Sequence, residues 1–222
     1  MAEGGRSVRE KRTIVVGATG ASGMPLLEQC LRLIREQGTF SVDLIVTRGG
    51  QLTMEQELGS RSGAVRRLAD RVFSPEEIGA EPASGSFPTE GMLIVPCSMK
   101  TIAGIHAGYG ENLLLRAADV TLKEGRRLVL AARESPLSPI HLRNLYELSM
   151  IPGVRIIPPM MTFYHKPETI QEMVYHTAAR LVEPFGIEAP EYRRWRGLSP
   201  EIRAGEEIGS PERPEERGRK DV

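Results

Sequence analysis

The segment Thr13-Ile14-Val15-Val16-Gly17-Ala18-Thr19-Gly20-Ala21-Ser22-Gly23 constrains this chain more than any other stretch. Ile14 to Val16 is short, apolar and β-branched, which reads as a buried strand. Leu26, Leu27, Cys30, Leu31 and Ile34 then recur at helical spacing. A strand that passes through a small-residue turn straight into a helix is the opening unit of a parallel α/β sheet. Gly17, Gly20 and Gly23 let the backbone approach a ligand closely, and a helix beginning near Ser22 would aim its unpaired N–H groups at an anion. A phosphate is the expected guest. The Gly-x-x-Gly-x-x-Gly spacing differs from the dinucleotide pattern, and the second strand ends Ile45-Val46-Thr47 without an acid to hold a ribose, which argues against NAD. Gly23-Met24-Pro25 also lacks the Lys-Ser or Lys-Thr of a nucleotide triphosphate loop. The turn alone leaves two readings, a mononucleotide or flavin site and a purely structural strand-to-helix turn.

The rest of the chain repeats the pattern. Strands are expected at Ser41 to Val46, Met92 to Pro96, Leu128 to Ala132 and Val154 to Ile157. Helices are expected over Gln51 to Glu57, from Ser98 to Gly108, over Asn112 to Glu124, from Ser138-Pro139 to Leu148 and over Thr169 to Val182. Ser74 to Gly91 reads as a long loop, of a length that is often functional. Alternating strands and helices imply an α/β three-layer sandwich, flavodoxin-like or Rossmann-like, with a mostly parallel sheet and ligands at the carboxyl ends of its strands. Thr19 to Ser22, Thr47, Ser98 to Thr101, Arg133-Glu134 and Tyr164 all fall at those ends.

Composition sets outer bounds. The 222 residues suit one domain over residues 13–198, with a flexible amino terminus over 1–12 and a tail over 199–222, rich in Glu, Arg, Pro and Gly, that reads as disordered. Lys plus Arg equals Asp plus Glu at 29 each, so nothing suggests a nucleic acid or an anionic membrane surface as partner. No run is long and apolar enough for a membrane span, and the amino end lacks the apolar core of a signal peptide, so a cytoplasmic location is expected. Cys30 and Cys97 fall in a helix and a buried strand, which reads as free thiols. His106, His141, His165 and His176 are scattered without a paired spacing, and no metal site is expected.

Five separated motifs carry a family resemblance: Gly17 to Gly23, Pro96-Cys97-Ser98-Met99-Lys100-Thr101, Arg116 to Val120 with Leu122-Lys123-Glu124, Arg133-Glu134-Ser135-Pro136, and Phe163-Tyr164-His165. Together, from Ile14 to Ile187, they resemble the flavin prenyltransferase (UbiX) family, including its members associated with hydroxyarylic-acid decarboxylases. The resemblance implies a metal-independent enzyme that joins the dimethylallyl group of dimethylallyl phosphate to N5 and C6 of reduced FMN. The prenylated FMN would serve a partner UbiD-type decarboxylase, and the enzyme would assemble as a homododecamer with sites at subunit junctions. Carried onto this chain, Gly20, Ala21, Ser22, Thr47, Ser98, Met99, Lys100, Thr101 and Arg133 would hold FMN. Tyr164 and Arg180, with Lys123 and Arg133, would bind the prenyl phosphate. Glu57 and Glu134 match the active-site acids and Ser22 the proton-relay serine. Lys123 or Glu57 would then serve a neighbour's site.

Elementary chemistry supports these roles. Ionising an allylic phosphate develops a cation and a leaving anion, so fixed positive charge from Lys123, Arg133 and Arg180 suits the phosphate. Ring closure removes a proton from C6, for which a carboxylate such as Glu134, through Ser22 or the leaving phosphate, is a suitable shuttle. Taken singly, Lys123 and Arg180 read as solvated helix charges, Tyr164 as a packing residue, and Glu134 as an ion-pair partner of Arg133. The chain departs from the family at Thr19 and Thr47, where serine is frequent, and at Arg48-Gly49-Gly50, which replaces Lys-Ala-Ala and gives the second loop more freedom. Trp195, in Arg194-Trp195-Arg196-Gly197, resembles the hydroxyarylic-acid group. Competing readings are a noncatalytic FMN-carrier subunit of an aromatic-acid decarboxylase, a flavin-dependent cysteine-type decarboxylase, and direct decarboxylation by this chain. The cysteine-type enzymes use an early histidine and an Asn-rich motif, whereas here no histidine precedes His106 and Ser98 to Thr101 occupies that position.

Overall fold

The computed structural model describes residues 11–197. The expectations for the amino terminus and the tail therefore lie outside the described residues, except that Arg12 already belongs to the first strand. The order of elements is β1 (Arg12–Ala18), α1 (Met24–Gln37), β2 (Phe40–Val46), α2 (Arg48–Leu58), α3 (Ser62–Arg66), β3 (Arg71–Phe73), β4 (Gly91–Cys97), α4 (Met99–His106), α5 (Leu113–Lys123), β5 (Arg127–Ala132), α6 (Pro139–Ser149), β6 (Val154–Ile156) and α7 (Ile170–Val182).

The strands form a six-stranded sheet in the order β3-β2-β1-β4-β5-β6. Every pairing is parallel. This is the Rossmann order, and without the short edge strand β3 it becomes the flavodoxin order. The direction of winding reverses between β1 and β4, so the loops after those two strands diverge and leave a crevice at their carboxyl ends.

Alternation along the strands builds two cores. Ile14, Val16, Leu44, Leu93 and Val129 face α1, α2 and α7 on one side. Val15, Ile45, Met92, Ile94 and Leu128 face α4, α5 and α6 on the other. The central strand β4 is buried along its whole length, which is why it reads as an unbroken apolar run.

Strand β3 escaped the sequence reading because three residues carry no periodicity. Its anchor is electrostatic: Arg71 donates to both carboxylate oxygens of Asp43 at 2.8 and 2.6 Å, and Asp43 is 1% exposed. A carboxylate inside an apolar strand requires such a partner. The long segment from Ser74 to Glu90 is the crossover from β3 to β4. It is tied down by Leu113 N–H to the Pro75 carbonyl (2.8 Å) and by Arg126 to the Gly85 and Phe87 carbonyls (2.7 and 2.9 Å). Its irregularity thus has a covering role in place of a helix.

Gly91, at the start of β4, has φ 133°, and a Cβ there would collide with the Arg127 carbonyl oxygen. Gly91→Ala is expected to cost about 1–3 kcal/mol or more, because backbone strain adds to the clash. Urea denaturation checks this, and an unshifted midpoint would mean that the strand start relaxes freely.

Candidate functional site

The crevice is built around one hydroxyl. Thr19, 1% exposed, donates through Oγ1 to the Pro96 carbonyl (2.9 Å), while the same oxygen accepts the Ser98 N–H at 2.8 Å. Its own N–H also reaches the Pro96 carbonyl, at 3.2 Å. Proline offers no N–H to the ladder, and β4–β5 pairing shifts register between Ile94 and Cys97, so the end of β4 depends on these bonds.

The second loop is closely packed, contrary to the freedom expected from Arg48-Gly49-Gly50. Thr47 Oγ1 donates to the Ala18 carbonyl (3.2 Å) and accepts the Gly50 N–H (3.1 Å), capping α2. A Cβ on Gly20 would lie 3.1 Å from Gly49 Cα, so the first and second loops meet glycine against glycine.

Helix α1 begins at Met24, two residues after Ser22, and its terminus is met from within the chain. The Glu57 carboxylate accepts the Gly23 N–H (3.0 and 3.3 Å) and the Met24 N–H (2.8 Å). Glu57 reaches that far because α2 is a complete helix whose last turn remains beside the start of α1. A carboxylate at a helix N-terminus answers both the free donors and the helix dipole. At the start of α4, Ser98 caps the Thr101 N–H at 3.4 Å and its Oγ lies 3.1 Å from Thr101 Oγ1. Lys100 is exposed in that first turn.

Gly20, Ser22, Arg133 and Glu134 are exposed along the same edge, with Ala21, Met99 and Thr101 buried beneath it. The Arg133 N–H donates to the Cys97 carbonyl at 3.0 Å, which fixes the start of its loop. Arg133 and Glu134 form no ion pair; Glu134 accepts only the Ser135 N–H, at 3.0 Å, among the described residues. Tyr164 lies in the connection after β6 and is 80% exposed. Burial pushes the Cys97 thiol up, so it is no nucleophile at this edge.

Two expected residues stand elsewhere. Lys123 ends α5 and Arg180 is in the last turn of α7, and both helices run back from the carboxyl edge of the sheet. At 1.5 Å per residue, each lies about 15 Å down its helix. Lys123 pairs with Glu124 beside Gly85, and Arg180 pairs with Glu183. The sequence reading also left Trp195 without a structural place. Its ring lies 5.2 Å from that of Tyr164. An aromatic residue within a charged stretch was the available signal.

No group of three or more His, Cys, Asp or Glu residues that could hold a metal occurs among the described residues. No described helix is long and apolar enough to cross a membrane.

A six-stranded parallel sheet with loops converging at its switch point is the architecture of nucleotide-binding α/β proteins. The Flavoprotein family pattern matches residues 3–181. A probable UbiX-like flavin prenyltransferase from Escherichia coli O157:H7 is 48% identical over 185 residues, covering 83% of this chain and 93% of that protein. A dodecameric FMN-dependent UbiX-like decarboxylase from the same organism has a TM-score of 0.79 at 47% identity, covering 83% of this chain and 100% of that one. AnUbiX (PadA1), solved in complex with FMN and dimethylallyl pyrophosphate, has a TM-score of 0.82 at 40% identity, covering 86% of this chain and 100% of that one. The chain belongs to the Flavoprotein family and, within it, to the UbiX-like flavin prenyltransferases.

Removing the Glu57 carboxylate leaves the Gly23 and Met24 N–H groups to water. Glu57→Ala is expected to lower stability by about 0.5–2 kcal/mol, the range of a lost helix cap. Equal urea midpoints for the two proteins would remove Glu57 from the structural account.

Proposed function

We propose that this enzyme joins the dimethylallyl group of dimethylallyl phosphate to N5 and C6 of reduced FMN, releasing phosphate. The supporting observation is the shared carboxyl edge of the sheet. It assembles Gly20, Ala21, Ser22, Thr47, Ser98 to Thr101, Arg133 and Glu134, the residues the family resemblance assigns to flavin and to proton transfer. Bound there, reduced FMN supplies the nucleophilic nitrogen and carbon that accept the five-carbon group.

The residues fit that guest. The open N-terminus of α4, with the Ser98 and Thr101 hydroxyls and Lys100, offers donors for the FMN phosphate. Gly20 meets Gly49 backbone to backbone, so this part of the edge presents main chain without side chains to a planar ring. Ser22 immediately precedes Gly23, whose N–H Glu57 accepts, so Glu57 acts on Ser22 by positioning it as well as by capping α1. Glu134, exposed at the end of β5, is placed to carry the proton released at C6.

The prenyl phosphate needs cations. Arg133 is at the edge, while Lys123 and Arg180 lie at the far ends of α5 and α7. We read these two as contributions to the site of an adjoining subunit, which accords with the dodecamer of the E. coli relative. The family resemblance makes the prenylated flavin the cofactor of a partner UbiD-type decarboxylase, with a cytoplasmic location as the accompanying reading.

Anaerobic incubation with reduced FMN and dimethylallyl phosphate, followed by mass spectrometry of the released flavin, tests the reaction. Addition of one five-carbon unit supports it; unmodified FMN overturns it in favour of a carrier subunit. Glu134→Gln is expected to slow product formation about 10²–10⁴-fold with FMN still bound. Chains carrying Lys123→Ala and chains carrying Glu134→Gln, inactive by themselves, are expected to regain activity when co-assembled. Inactive mixtures would place Lys123 outside any shared site.

A further inference from the structure

Residues 189–197 run back over the start of α7 as an irregular strap. Few contacts hold it. The Glu191 N–H donates to the Tyr175 hydroxyl (3.1 Å), Arg193 pairs with Glu172 (3.4 Å), Arg194 pairs with Glu183, and Trp195 rests against Tyr164. Cavities of about 560 and 320 Å³ flank it, the first lined by Gln29, Tyr175 and Pro190, the second by Thr162, Tyr164 and Gly197. At the centre, His165 and His176 stack with ring centroids 3.7 Å apart and planes inclined by 12°. Tyr192 of the strap covers His176 at 5.4 Å. His176 is 6% exposed. His165 Nε2 is enclosed without a hydrogen-bond partner among the described residues. The next residue, Lys166, has φ 50°, a conformation that side chains other than glycine rarely adopt.

We infer that the His165–His176 stack is an acid-sensitive clasp, holding the strap and the Tyr164 loop together while His176 is neutral and releasing them when it is protonated. Two neutral imidazoles stack readily, whereas a charge on the buried His176 would be held away from water against the stacked ring. Arg193, Arg194 and Arg196 from the strap add positive charge around the pair. Glu172 from α7 and Glu191 from the strap oppose them, but Glu172 already pairs with Arg193 and accepts the Glu168 N–H at 3.2 Å. Tyr175 and Tyr192 complete the surroundings as neutral rings. Burial first, then His165 and Arg193, hold the His176 pKa below its ordinary value, against Glu172. The docked state thus binds protons more weakly than the released state. Docking is at full strength above the ordinary histidine pKa of about 6.5 and weakens as the pH falls below it.

Trp195 is the only tryptophan of the chain, so its emission reports the strap directly. Full-length protein titrated from about pH 8 to about pH 5 is expected to show a reversible red shift with a midpoint below about 6.5. The shift should disappear in His176→Gln and in His165→Gln. Unchanged wild-type emission, or the same transition in both variants, would overturn the clasp. Should the variants not assemble, hydrogen exchange of the wild type decides. Protection of 189–197 must fall with pH, corrected for intrinsic rates, while that of α1 holds; constant protection overturns the proposal. The consequence for catalysis rests on the prenyl-phosphate reading of Tyr164. It predicts a KM for dimethylallyl phosphate that rises over the same pH range. An unchanged KM beside an intact emission shift would count against that reading and leave the clasp standing.

Discussion

The hydroxyl of Thr19 is the constraint on which the rest of the crevice depends. It satisfies the Pro96 carbonyl and the Ser98 N–H together, at the point where the sheet reverses its winding. A buried backbone carbonyl or N–H left without a partner costs about 1–3 kcal/mol, so one side chain stabilises the ends of both diverging loops. The position of α4, the orientation of Ser98 and the approach of Arg133 to the Cys97 carbonyl all follow from that junction. Serine would keep the hydroxyl; threonine adds a methyl group within a fully packed site.

Two helix termini face the crevice, and the chain treats them differently. The first is closed by Glu57, whose carboxylate substitutes for an external anion. The second is capped by Ser98 alone, with Lys100 exposed in its first turn. The division has an electrostatic sense. A carboxylate at α1 discourages a second anion there, which accords with the proposed phosphate position at α4. Glu57 thereby joins the stability of the domain to the selectivity of its edge.

Parallel topology imposes a further consequence. Helices α5 and α7 carry their last residues away from the carboxyl edge, so Lys123 and Arg180 stand apart from Arg133 within the same chain. A prenyl-phosphate site that uses all three cations requires juxtaposed subunits. The exposed Met160, Met161, Phe163 and Tyr164 beside the edge are suited to burial in such a junction. The strap over α7 acts on the same loop from the other side.

Much of this architecture was legible in the residues because it depends on local chemistry. Strand and helix periodicity located most elements, and Ser98, Asn112, Ser138 and Thr169 cap the helices they were expected to start. The glycine turn, the five motifs and the alignment of Thr47, Ser98 and Arg133 at strand ends were likewise visible, since side chains at strand termini converge whenever strands are parallel. Strand β3 was not legible, because its stability comes from the Arg71–Asp43 pair and not from its own pattern. The partners of Glu57, the stacking of His165 on His176 and the opposed placement of Lys123 and Arg180 were decided only in three dimensions. Sequence determines what each segment prefers and which chemical groups it carries. Packing decides which of those groups meet, because partners far apart along the chain are selected by the shape of the shared core.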